Sequence, residues 1–200
     1  GSFEIPAGRL LNFDIESRPL GWLGGDWMHS EPTAIACAWQ DDPDSIEVYH
    51  ITKRKGSETR MLKAFRRRYD SATVVVGHYI RGYDLGRLNA AYLEFDLGPM
   101  ADKYTHDTKG DLLKFSGISK SQENLGAMFG LDAPKYPMNM ADWRSANRLE
   151  PAGIQKMVER AAADVLQNIE MHAELMRRGF VSPPQLWSAG DGVAAPGYVR

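Results

Sequence analysis

The run Thr73-Val74-Val75-Val76-Gly77 restricts the fold more than any other stretch of the chain. Three successive β-branched residues leave no polar face, which favours a central strand buried on both sides. Such a strand needs covering layers, and the sequence supplies amphipathic helices for them. Ser57 to about Tyr69 places Met61, Leu62 and Phe65 on one side, with Ser57 as a candidate N-cap. A second helix is expected from about Tyr83 to Phe95, a third from Asp107 to about Phe115, and a fourth from Ser121 to Phe129, stopped by Gly130. Pro151 to Arg178 is the longest helix, opened by proline and followed by Gly179. Residues 135–148 read as irregular with a helical turn. Arg9–Ile15, Thr33–Trp39 and Ser45–Ile51, joined by short polar turns, predict an antiparallel meander. Lys103–His106 reads as a last short strand. The class is α/β.

With 200 residues and 43% hydrophobic content, the chain suits one domain, taken as residues 3–180, followed by an irregular tail over 181–200. Gly1-Ser2 reads as a cloning remnant. The single cysteine, Cys37, excludes an intrachain disulfide and a cysteine-type zinc site. No apolar run is long enough for a membrane helix and no signal-peptide pattern is present, so a cytoplasmic setting is expected. The formal net charge of −2 gives no overall attraction to nucleic acid. Such binding would have to come from local cations or from metal ions that offset the acids.

Four acids carry the functional argument. Asp14 and Glu16, in Leu10-Leu11-Asn12-Phe13-Asp14-Ile15-Glu16-Ser17, are two apart on a strand and share a face. Adjacent carboxylates repel unless a cation lies between them, and a hard divalent ion bound through oxygen is the usual one; two solvated acids at a strand end are the alternative. Asp84 follows the central strand, either as an acid suited to a helix start or as a metal ligand. Asp164 stands beside Ala161-Ala162-Ala163 on the last long helix, either on its wet side or aimed at a cation. Four such carboxylates can hold two magnesium or manganese ions, the arrangement that serves phosphodiester hydrolysis.

These segments also carry a resemblance. Phe13-Asp14-Ile15-Glu16-Ser17-Arg18-Pro19-Leu20 resembles the first motif of the DEDD superfamily of 3′–5′ exonucleases. Val75-Val76-Gly77-His78-Tyr79-Ile80-Arg81-Gly82-Tyr83-Asp84-Leu85 resembles the second, and Ala161-Ala162-Ala163-Asp164-Val165 the core of the third. The resemblance implies a ribonuclease H-like fold, a mixed five-stranded sheet with helices on both faces. It also implies two divalent ions, Mg2+ or Mn2+, held by Asp14, Glu16, Asp84 and Asp164. Asp107-Thr108 resembles a supporting segment of related, often phage-encoded, members. The implied partner is a DNA or RNA 3′ end, with a replication or repair protein as a further expected partner.

The sequence departs from that pattern at two places. Members usually carry a tyrosine four residues, or a histidine five residues, before the last aspartate, to orient or deprotonate the attacking water. Here these positions hold Arg160 and Glu159. Arginine stays protonated, so Arg160 can neutralise Asp164 or clamp a phosphate but cannot act as a base. Tyr79 stands where relatives commonly have asparagine, either as a packing residue or as a partial substitute for the missing tyrosine. His78, His106 and His172 are further candidate proton carriers. Trp22 and Trp27 are candidates for base stacking, and Arg81, Lys103 and Lys109 for phosphate contacts. Three functions are compatible: a metal-dependent exonuclease, a nucleic-acid-binding module of the same fold with impaired catalysis, and a protein-interaction module.

Overall fold

The structure is a computed structural model that describes residues 8–20, 29–131 and 136–190. Trp22 and Trp27 lie outside these residues. Among the described residues six strands form one mixed sheet: β1 (Leu10–Pro19), β2 (Ser30–Trp39), β3 (Asp42–His50), β4 (Val74–Gly77), β5 (Lys103–Asp107) and β6 (Gln185–Trp187). Their spatial order is β3-β2-β1-β4-β5-β6. β1, β2 and β3 form the antiparallel meander, β4 adds parallel to β1, β5 parallel to β4, and β6 antiparallel to β5.

Among the described residues there are five helices: α1 (Ser57–Ser71), α2 (Asp84–Glu94), α3 (Gln122–Phe129), α4 (Met140–Asn147) and α5 (Pro151–Arg178). Leu11, Phe13 and Ile15 of β1 join Met61, Leu62 and Phe65 of α1 and Leu85 and Leu88 of α2 in the main core. On the opposite face Ala36 and Ala38 of β2 meet Ala161, Val165 and Ile169 of α5. Alternate residues of β1 therefore serve two layers, as strand geometry requires. Val74, Val75 and Val76 are fully buried, which accounts for the unbroken apolar run.

The structure corrects several boundaries. Ser57 is the first helical residue rather than the cap; Gly56 holds the N-cap position, and the Ser57 hydroxyl instead donates to the Thr52 carbonyl at 2.8 Å. The helix expected from Asp107 to Phe115 is only a 3-10 turn over Gly110–Leu112. Asp107 ends β5, and its carboxylate accepts the N–H groups of Lys109 and Gly110 at 3.1 and 2.7 Å, folding the chain back at once. The irregular stretch before α5 contains α4, closed at its start by a reciprocal Asn139–Asp142 capping box. Among the described residues the sheet has six strands, not five, because Gln185–Trp187 pairs with the edge of β5.

Candidate active site

β4 ends at Gly77 while β1 runs on past it. A Cβ at Gly77 would lie 2.8 Å from the Phe13 carbonyl oxygen and 2.1 Å from Ile80 Cγ2, so only glycine permits this close approach. Beyond it the Ile15 N–H has no β4 partner, and Asp84 Oδ1 accepts it at 3.2 Å. The carboxylate that opens α2 is thus fastened to the strand carrying the other two acids.

α5 lies over the opposite face of β1 with a matching stride. Residues four apart on a helix repeat about every 6 Å, and residues two apart on a strand about every 6.6 Å. Arg160, Asp164 and Asn168 therefore descend α5 in step with Glu16, Asp14 and Asn12 along β1. The lowest rung is direct: Asn168 Nδ2 donates to Asn12 Oδ1 at 2.7 Å. At the upper rungs, carboxylate oxygens of Asp14, Glu16 and Asp164 lie within 4.8 Å of one another. Arg160 closes the row, its Nε 3.4 Å from Glu16 Oε1 and 3.6 Å from Asp164 Oδ2.

The electrostatics follow from this crowding. Removal from water raises the Asp14 carboxyl well above its ordinary range, repulsion from Asp84, Glu16 and Asp164 adds to it, and Arg160 opposes. Burial pushes Glu16 up to about 7, against the pull of Arg160. Burial likewise lifts Asp84 to about 7, although the Ile15 N–H favours its charged form. Crowded acids that resist ionisation are sites where a divalent cation restores the charge balance. The donors are all carboxylate oxygens, the set suited to magnesium or manganese. Asp14, Glu16 and Asp164 fit such an ion; Asp84 stands beside them, fixed through Ile15, and interacts electrostatically with Asp14 and Glu16.

The auxiliary candidates are placed differently. Asp107 accepts the backbone N–H groups of Tyr79 at 2.8 Å and Arg81 at 3.0 Å besides those of Lys109 and Gly110, so it organises the loop between β4 and α2. Tyr79 has a left-handed φ of 72°. Its ring covers Gly82, where a Cβ would lie 2.4 Å from Cζ, and Lys109 Nζ stands 4.5 Å from its centroid. The Arg81 guanidinium is committed to Asp111 and Thr105. Lys103 binds the Ala72 and Asp70 carbonyls at the end of α1, away from the acids. Glu159 accepts from Gln155 Nε2 at 2.7 Å on the outer side of α5.

The three candidate histidines, His78, His106 and His172, are engaged in polar contacts within the protein. His78 bridges the Thr108 hydroxyl at 3.0 Å and the Lys120 carbonyl at 2.9 Å, and burial holds it near pKa 4. His106 Nδ1 and His172 Nε2 are 2.8 Å apart, and burial lowers them to about 4 and about 3. The buried Asn12–Asn168 pair, continued by Thr108 at 2.7 Å from Asn168 Oδ1, supports the acids from below. Sequence reading missed it, although Asn168 stands four residues past Asp164. It also missed Tyr83, next to Asp84, whose hydroxyl is 3.1 Å from Ser17 Oγ.

No family model and no curated protein sequence matches this chain. Among solved structures, the family B DNA polymerase from the hyperthermophilic archaeon Pyrobaculum calidifontis is similar, with a TM-score of 0.68 and 17% identity over 88% of this chain. The match covers 25% of that polymerase chain. The shared architecture, together with the strand order and the helices on both faces, is ribonuclease H-like.

Proposed function

We propose that the chain is a divalent-metal-dependent 3′–5′ exonuclease acting on DNA or RNA. The observation that carries this reading is the meeting of Asp14, Glu16 and Asp164 from β1 and α5 on a ribonuclease H-like sheet, with Asp84 tied to the same strand. The neighbour is a DNA polymerase by name, which agrees with a nucleic-acid substrate, and the resemblance of the three acidic segments to exonuclease motifs points to the 3′ end. Magnesium or manganese, two per site, would supply activation of water and neutralise charge at the phosphate and leaving oxygen.

The chain's own residues set the remaining tasks. Asp14 and Glu16 present oxygens from one strand face, Asp164 from the helix above, and Asp84 from the helix start. Arg160 stays protonated and binds anions rather than accepting a proton. Its presence favours a second reading, a nucleic-acid-binding module with little or no turnover.

Degradation of 5′-labelled single-stranded and duplex DNA and RNA separates the two readings. A magnesium- or manganese-dependent ladder shortening from the 3′ end, abolished by chelator and by Asp14→Ala, is the expected result. Retained binding with no cleavage of any substrate establishes the binding module instead.

A further inference from the structure

Arg160 stands where a cation is wanted and faces a groove where an anion would fit. Its Nε is 3.4 Å from Glu16 and 3.6 Å from Asp164. Both distances exceed the roughly 2.7–2.9 Å of a strong charge-assisted hydrogen bond, so the guanidinium neutralises the carboxylates without being locked to them. Its side chain is 35% exposed. The rest of the guanidinium already has other support: Nη1 is 3.4 Å from the Tyr136 carbonyl oxygen, and Cζ is 5.6 Å from the Trp143 ring centroid.

These contacts open onto a cavity of about 210 Å³ between α3, α5 and residues 136–137. Among the described residues Arg160 is the one cation lining it, beside the carboxylates of Glu123 and Asp164 and the side chains of Gln122, Tyr136 and Gln167. Gln122 is braced there, its Nε2 donating to the Asp164 carbonyl at 2.7 Å. The half-exposed ring of Tyr136 offers a flat apolar surface at the rim. A planar guanidinium beside a polar groove suits a phosphate oxygen.

We infer that Arg160 exchanges partners when the site fills: it is the counter-cation of Glu16 and Asp164 in the metal-free protein, and it yields that place to a divalent ion and takes a nucleotide phosphate in the adjoining groove. This deepens the exonuclease reading and rests on it. Arg160 then has opposite effects on the two ligands. It competes with the metal, because two cations cannot share the space between Glu16 and Asp164, and it helps the phosphate.

Calorimetric titration of the full chain tests this with two probes, Mn2+ alone and thymidine 5′-monophosphate at saturating Mn2+. Arg160→Gln is expected to bind Mn2+ about tenfold more tightly than the unaltered chain and the nucleotide about tenfold more weakly, each a change of about 1.4 kcal/mol. Arg160→Lys keeps the charge, so it should leave Mn2+ affinity close to that of the unaltered chain while still weakening the nucleotide. It also serves if the glutamine variant does not fold. A purely structural role moves both affinities in the same direction, and that result, or unchanged Mn2+ affinity, overturns the inference. Absence of saturable Mn2+ binding in every form, with Asp14→Asn indistinguishable, removes the metal-centre reading itself.

Discussion

At the scale of single residues, the site is a set of acids that the fold makes reluctant to ionise. Glu16 and Asp84 are both raised to about 7, chiefly by burial. A carboxyl raised in the folded state favours folding while it is protonated and loses that contribution as pH climbs through the raised value. The buried histidines, lowered to between about 3 and 4, act in the opposite sense below about pH 6.5. The carboxylate effect is therefore read from a difference. In chelator, Glu16→Gln should melt above the unaltered chain at about pH 8, and most of that advantage should vanish by about pH 5. Saturating magnesium should reverse the order at about pH 8, because only the unaltered chain keeps all of its ligands. Melting temperatures across that range check both signs; a constant gap with pH would contradict the assignment.

The same residues show what the sequence discloses. Asp14 and Glu16 could be paired in advance because strand alternation is local. The proximity of Arg160 to Asp164 follows from one helical turn, and the structure finds them 3.6 Å apart. The additional contact of Arg160 with Glu16 depends on how α5 lies on β1, which no local pattern encodes. The contacts of Asp107 with the Tyr79 and Arg81 N–H groups and the His106–His172 contact likewise join segments distant in sequence. Buried polar partners of this kind are specified by tertiary packing, so the sequence offers the residue types but not their pairing.

At the scale of elements, the polar stripe of α5 and the abrupt end of β4 build the site. Helices and strands with strong internal patterns, such as Pro151–Arg178 and Val74–Gly77, are legible from sequence. Those decided by side-chain caps or by a free sheet edge are not: α4 depends on its Asn139–Asp142 box, and β6 on the edge that β5 leaves open. Two glycines make the positional logic testable. Gly77→Ala should cost about 1–3 kcal/mol through overpacking, because a Cβ there meets the Phe13 carbonyl and Ile80. Gly86, exposed inside α2, has nothing within 4 Å of a built Cβ. Gly86→Ala should be neutral or stabilising, by up to about 1 kcal/mol. Denaturant unfolding of the pair reads the contrast; similar destabilisation in both would show that the Gly77 approach is not what limits the site.

At the scale of the molecule, a mixed sheet with both faces covered holds the acids where α5 crosses β1. Among the described residues, no helix is long and apolar enough to cross a membrane. The expected α/β class and ribonuclease H-like arrangement hold, with one strand more than the resemblance implies. The α/β class was legible because its informative signals, one all-apolar strand and several amphipathic helices, are local. The antiparallel meander of β1, β2 and β3 was legible from its short turns, whereas the parallel pairing of β4 with β5 was not, since nothing local states which strands pair in parallel.

The measurement that tests the central claim most directly is anomalous diffraction from crystals of the full chain soaked in manganese. The account predicts manganese peaks among the carboxylates of Asp14, Glu16, Asp84 and Asp164, with the Arg160 guanidinium withdrawn from between Glu16 and Asp164. Ordered, ion-free carboxylates with Arg160 still between them in saturating manganese would contradict it.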